Sequence, residues 1–96
     1  MTWPNKDTWV CYLLLCADGT LYCGITNDLA GRIDAHNAGQ GAKYTRGRTP
    51  VRLVHSESCK DKPHALKREI GIKKLTRAGK LALIASSGPA RYGGQT

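Results

Sequence analysis

The sequence predicts an α/β domain with a small sheet flanked by helices, and three observations predict it. Two short apolar runs, Trp9 to Cys16 and Leu21 to Thr26, are joined by the turn signal Ala17-Asp18-Gly19-Thr20. A third strand-like run, Val51 to Glu57, follows a stretch punctuated by Gly39, Gly41, Gly47 and Pro50. Helical patterns fill the segments before and after that run. At 96 residues the chain makes one domain, with room for one small sheet and two or three covering helices.

Residues 1–8 are polar, include Pro4 and Asn5, and are expected to lie loose ahead of a domain spanning 9–84. Trp9 to Cys16 reads as a strand buried on both faces, with Cys11, Leu13 and Leu15 on one side and Tyr12, Leu14 and Cys16 on the other. The returning strand has two possible registers. A two-residue loop at Asp18-Gly19 sets Tyr22 opposite Leu15, on the face away from Tyr12. A three-residue loop with Gly19 left-handed sets Tyr22 opposite Leu14, diagonal to Tyr12 on one face. A shared tyrosine site needs the second.

Asn27 or Thr26 is expected to cap a first helix with Asp28 in its first turn and its end near Gly39. At about 100° per residue, Leu29, Arg32, Ile33 and His36 share one arc of it. Residues 39–50 form a mobile basic loop around Tyr44. Asp61 caps a second helix with Pro63 in its first turn, running to about Leu75. Leu66, Glu69, Ile70 and Lys73 are expected on one side of it, Glu69 being the only acid in that apolar arc. A third helix runs from Thr76 through Ile84, and residues 85–96 read as a disordered tail. No internal repeat or linker divides the chain.

The net charge is +8, from 15 Lys+Arg against 7 Asp+Glu, and a pI near 9.6 points toward polyanions. The charge is clustered. Lys43, Arg46, Arg48 and Arg52 occur with no acid among them, and residues 60–80 carry eight basic side chains against Asp61 and Glu69. Cys11, Cys16, Cys23 and Cys59 lack the C-x₂-C spacing of a zinc knuckle. Strand cysteines behave as small hydrophobes, which favours a reducing compartment over a disulfide scaffold. The run Trp9 to Ala17 is too short to span a bilayer, and Leu15 stands where lipoprotein processing at Cys16 needs a small residue. A cytoplasmic protein without membrane attachment is expected.

Six residues can carry chemistry: Tyr12, Tyr22, Arg32, His36, Tyr44 and Glu69. Phenols, a guanidinium, an imidazole and a lone carboxylate suit phosphodiester hydrolysis, which needs a proton acceptor for water and charge neutralisation at phosphorus. Each also has a plainer reading. A strand tyrosine commonly just bonds through its hydroxyl, Glu69 can pair with Lys73 at i+4, Arg32 can pair with Asp28, and His36 can be helix packing.

In this order and spacing the residues resemble the GIY-YIG nuclease family. Tyr12 matches the tyrosine of the first motif and Tyr22-Cys23-Gly24 the second. Arg32 and His36 match the helix arginine and the histidine one turn later, Glu69 the distant glutamate. Gly41-Ala42-Lys43-Tyr44-Thr45 looks like the loop of the small stand-alone and branched-DNA members. Val10-Cys11 replaces Gly-Ile before Tyr12, Cys23 replaces the central Ile, and a downstream asparagine of several members has no counterpart.

The resemblance implies a three-stranded antiparallel sheet with the two tyrosines and Arg32 converging at one end. It implies an endonuclease acting on DNA, structured or branched DNA included, with RNA as a further polyanion. One divalent ion, Mg²⁺ or Mn²⁺, held by Glu69 is implied, since such ions keep several waters and take few protein ligands. No small-molecule cofactor is expected. Arg32 would brace the phosphate bidentately. Tyr12 would be the base if neighbouring cations lower its pKa of about 10. Tyr22 would orient the water, His36 would accept the tyrosine's proton or contact phosphate, and Tyr44 would close over the strand by hydroxyl or stacking. Lys43, Arg46, Arg48 and Lys73 would contact nucleic acid. The alternative is a nucleic-acid-binding module that keeps this fold with little or no turnover.

Overall fold

The computed structural model describes residues 8–86. Strands β1, β2 and β3 are Trp9–Leu15, Leu21–Thr26 and Arg52–Cys59, and helices α1, α2 and α3 are Leu29–Asn37, Lys62–Lys73 and Arg77–Ser86. A single 3-10 turn, Lys43–Thr45, lies between α1 and β3. The sheet is antiparallel with order β2-β1-β3, so the wholly apolar β1 is its centre and β2 an edge.

Alternation along β1 divides the core into two. Val10, Tyr12, Leu14 and Cys16 pack with Leu29, Val51 and the half-buried Tyr22, Ile33 and Leu53, under α1. Cys11, Leu13 and Cys23 pack on the other face with Ile72, Leu83 and Ile84, under α2 and α3. A register shift between Leu13 and Leu14, paired with His55 and Leu53, lets β3 serve both clusters.

The hairpin takes the register that a shared tyrosine site requires. Leu15 pairs with Leu21, Leu14 with Tyr22 and Tyr12 with Gly24. The Cys16 N–H donates to the Thr20 carbonyl at 2.8 Å, closing a three-residue loop in which Gly19 has φ +86°. Tyr12 and Tyr22 therefore share the α1 face.

Several expectations shift. The cap of α1 is Asp28, whose carboxylate accepts from the Gly31 N–H at 3.2 Å. Thr26 instead braces that cap by accepting from the Asp28 N–H at 3.0 Å. A carboxylate suits the positive helix end better than Asn27 or a hydroxyl. Asp61 caps α2 as read from sequence, accepting from the His64 N–H at 2.9 Å.

The buried arc of α2 is Ala65, Glu69 and Ile72, not the one containing Leu66 and Ile70, which are 40% and 55% exposed. Small Ala65 lets the helix lie close to the sheet, and Arg68 fixes its rotation. Both Arg68 Nε and Nη2 donate to Glu57 of β3 at 2.7 Å, and Glu57 also meets His55 Nε2 at 2.7 Å. The third strand continues to Cys59, and α3 runs to Ser86, into the segment expected as tail. The rest of the expected loose terminus and tail, residues 1–7 and 87–96, lies outside the described residues.

The connection at 39–50 is pinned rather than mobile. Thr45 is fully buried, Arg48 pairs with Asp18 of the hairpin at 2.5 Å, and the Ala17 N–H donates to the Arg48 carbonyl at 2.7 Å.

Candidate active site

Five of the six sequence-predicted residues meet on the α1 face. Tyr12, 1% exposed, projects from the central strand, and its hydroxyl lies 3.1 Å from Nε2 of His36. His36 comes down from the last turn of α1 and is itself fully buried. The Tyr22 ring packs edge-on to His36 at 5.3 Å and lies 6.4 Å from Tyr12. Arg32 lies one turn before His36 on α1, and its charge acts on both the Tyr12 phenol and His36.

Two glycines make this convergence possible. A Cβ on Gly24 would stand 2.6 Å from the Tyr12 hydroxyl oxygen and 3.0 Å from Tyr22 Cε2. A Cβ on Gly41 would overlap Nδ1 of His36 and lie 2.6 Å from its Cγ. Neither position admits a side chain without moving a ring.

Thr45 is the residue the sequence reading missed. Its Oγ1 lies 2.7 Å from His36 Nδ1 and donates to the Ala42 carbonyl at 2.9 Å. A hydroxyl has one proton, and Ala42 takes it, so Thr45 accepts from an Nδ1–H of His36. Burial, and secondarily the Arg32 charge, hold the His36 pKa below its ordinary value, so the ring is neutral. A neutral ring protonated at Nδ1 has an acceptor lone pair at Nε2. Assigned from this network, the Tyr12 hydroxyl donates to His36. Its only sequence signal was the Gly41-to-Thr45 run, since a loop threonine has no periodicity. Asn37 was missed too. Its side-chain amide donates to the Val51 carbonyl at 3.2 Å, its oxygen accepts from the Val51 N–H at 2.7 Å, and the end of α1 is thereby tied to the start of β3.

The Tyr12 pKa moves the opposite way from the sequence expectation. Burial raises it to about 12, outweighing the lowering by Arg32. At pH 7 a free phenolate there lies about 7 kcal/mol above the phenol. Tyr12 therefore rests protonated.

Tyr44 is 43% exposed and is held by two contacts. One face stacks on Tyr22 at 5.7 Å and 30°, and the Arg48 guanidinium covers the ring at 4.5 Å. Arg48 Nε also donates to the Tyr44 carbonyl at 2.8 Å. Arg48 is thereby tied to the loop. Lys43 and Arg46, on either side of Tyr44 and Thr45, are exposed.

Glu69 is not in the tyrosine cluster. It sits on α2, over the opposite face, and its charge acts on the Cys23 thiol of β2, the residue before Gly24. Its side chain is 17% exposed and pairs with Lys73 at 3.3 Å. Among the described residues no group of three or more His, Cys, Asp or Glu could hold a metal. A single largely buried carboxylate fits only an ion that keeps most of its waters, as Mg²⁺ does, and not a closed protein cage.

Comparison with known proteins decides the family. The model of the GIY-YIG catalytic domain matches residues 8–82. The chain belongs to the GIY-YIG family. That domain is one of a nuclease family and typical of endonucleases. A UPF0213 protein of Desulfotalea psychrophila is 48% identical over 86% of this chain and 76% of its own length. One from Halobacterium salinarum is 57% identical over 76% of this chain and 95% of its own. Among solved structures, a UPF0213 protein from Bacillus halodurans has 42% identity and a TM-score of 0.56, covering 84% of this chain and 86% of that one. A protein from E. faecalis has 40% identity and a TM-score of 0.60, covering 86% and 88%. The sheet and its flanking helices are those of the GIY-YIG fold.

Proposed function

We propose that this GIY-YIG chain is a divalent-metal-dependent endonuclease acting on DNA, with structured or branched DNA as its substrate class. The observation that carries the reading is the Tyr12–His36 contact at 3.1 Å, with the Arg32 charge acting on the same phenol.

Tyr12 takes the proton of the attacking water while passing its own to Nε2 of His36. Because outright ionisation of Tyr12 is costly, the two transfers are coupled, and no free phenolate accumulates. Thr45 holds the ring so that Nε2 is the accepting nitrogen. Tyr22 orients the water from its place against His36. Arg32 braces a non-bridging phosphate oxygen through its planar fork. The Tyr44 hydroxyl faces the strand, and Lys43 and Arg46 take neighbouring phosphates. Lys73 serves Glu69 first and nucleic acid second. Glu69 would hold one Mg²⁺ or Mn²⁺, which when bound supplies positive charge to the phosphate and leaving oxygen. Free cysteines throughout fit a reducing, cytoplasmic setting.

A second reading, a binding module with little turnover, draws on the seat of Glu69 over the opposite face and its pairing with Lys73. A labelled branched or nicked duplex, incubated with Mg²⁺ or Mn²⁺ against EDTA, separates the two, with an RNA duplex as comparison. Metal-dependent nicking that is lost in Glu69→Ala and Tyr12→Phe, with folding and binding kept, is the expected result. A gel shift without cleavage in either metal selects the module. Full activity in either variant removes that residue from the chemistry.

A further inference from the structure

We infer that the depression between the hairpin tip, Tyr44 and the first turns of α3 is a subsite for a second phosphate of the nucleic acid, held by Arg77 and Lys80. The inference rests on the polyanion-substrate reading above. The depression is about 200 Å³ and is lined by Thr20, Leu21, Tyr44, Arg77 and Lys80. It has two cations and no acid in its lining. Cofactor and drug pockets usually occupy about 300–1,000 Å³, so this space suits a phosphate with part of its sugar, not a whole base-bearing ligand.

Two of the walls are held in place by their own contacts. Tyr44 is stacked on Tyr22 and contacted by the Arg48 guanidinium. The Thr20 hydroxyl is committed to Asp18 at 2.6 Å. Arg77 and Lys80 stand three residues apart on α3, on neighbouring positions of its surface. Folding alone gives no reason for them there. Cations at a helix start oppose the helix dipole, two like charges at that spacing repel, and the first turn of α3 holds no acid to offset them. A bound anion relieves both conflicts. The Lys80 charge also acts on the Cys23 thiol of β2, so it lies close to the strand that carries Tyr22.

The subsite is separate from the reacting centre. Tyr44 is its shared wall, and the rings run from Tyr44 to Tyr22 at 5.7 Å and from Tyr22 to Tyr12 at 6.4 Å. A strand rises about 3.4 Å per nucleotide in a duplex, so the phosphate held here is not the one attacked. Arg77 and Lys80 thereby extend the basic surface of Lys43 and Arg46 past Tyr44, and set the direction in which the strand leaves the site.

The test is the salt dependence of binding to a labelled duplex, measured in EDTA so that cleavage plays no part. Arg77→Gln with Lys80→Gln is compared with Lys60→Gln with Lys67→Gln, an equal charge change just before and midway along α2. Two lost phosphate contacts should flatten the slope of log affinity against log salt by about 1.8 and weaken binding about 10- to 100-fold at 0.1 M salt. The α2 pair should change the slope much less, and Arg77→Lys with Lys80→Arg should keep it. Equal losses in both Gln pairs assign the effect to net charge and overturn the subsite. An unchanged slope in the Arg77/Lys80 pair overturns it alone. A wild-type protein that does not bind the duplex overturns the polyanion reading and the subsite with it.

Discussion

Replacing Thr45 by valine keeps the side-chain shape and removes the one group that tells His36 which nitrogen to protonate. In the wild type, His36 Nδ1–H has Thr45 Oγ1 at 2.7 Å, and both residues are fully buried. Without that acceptor the buried N–H is left unpaired, at a cost of about 1–3 kcal/mol. The competing tautomer, with its proton on Nε2, can still donate to the Tyr12 hydroxyl 3.1 Å away. Valine therefore tips the ring toward a form that cannot accept from Tyr12. Each 1.4 kcal/mol is a factor of ten, so the competent tautomer and the single-turnover rate should fall by about 5- to 150-fold. Thr45→Ser keeps the oxygen and should restore most of the rate. Ring ¹⁵N NMR of His36 reads the tautomer directly and does not depend on activity. An Nδ1–H ring and an unchanged rate in Thr45→Val would refute the reasoning, as would a serine variant as slow as the valine one.

The pH dependence of stability carries the raised Tyr12 pKa. Below about pH 10 both folded and unfolded phenols are protonated, whereas between 10 and about 12 only the unfolded one ionises. Stability should thus be lost as pH rises through that window, by up to about 3 kcal/mol, and denaturant melts of Tyr12→Phe should lack that component. Gly24→Ala forces a Cβ to within 2.6 Å of the Tyr12 oxygen, so it should cost about 1–3 kcal/mol and abolish the His36 ¹⁵N signature of a Tyr12 donor. A variant with wild-type stability and spectrum would contradict the packing described.

Much of the fold was legible because its signals are local. The apolar run of β1, the Asp18-Gly19 turn and the Asp61 cap each act through neighbouring residues. The hairpin register was not decidable, because both loops close sterically and only packing of Tyr22 against His36 and Leu14 selects one. The α2 arc was misread because Leu66 and Ile70 are the more apolar residues, whereas rotation of the helix is set by small Ala65 and by the Arg68–Glu57 fork, a contact across eleven residues. Glu69 ends up largely buried all the same, in a different arc from the one expected. The site was legible as a list of residues and not as a network. Tyr12, His36 and Arg32 could be named, but the sign of the Tyr12 pKa depends on burial that no motif encodes.

The two faces of the sheet divide the labour unevenly. The phenols, the imidazole and Arg32 lie under α1, while Glu69 and Lys80 act from α2 and α3, and the charges of both reach Cys23 of β2. A substrate contacting both sets would lie across the exposed edge of β2, which carries Tyr22 and Cys23, rather than across the other edge, β3. Gly24 lies in that strand, opposite Tyr12, and the absence of its side chain admits the Tyr12 hydroxyl. A bulky residue at Gly24 would therefore displace the Tyr12 and Tyr22 rings, whereas Tyr12→Phe would keep the packing and remove the hydroxyl alone.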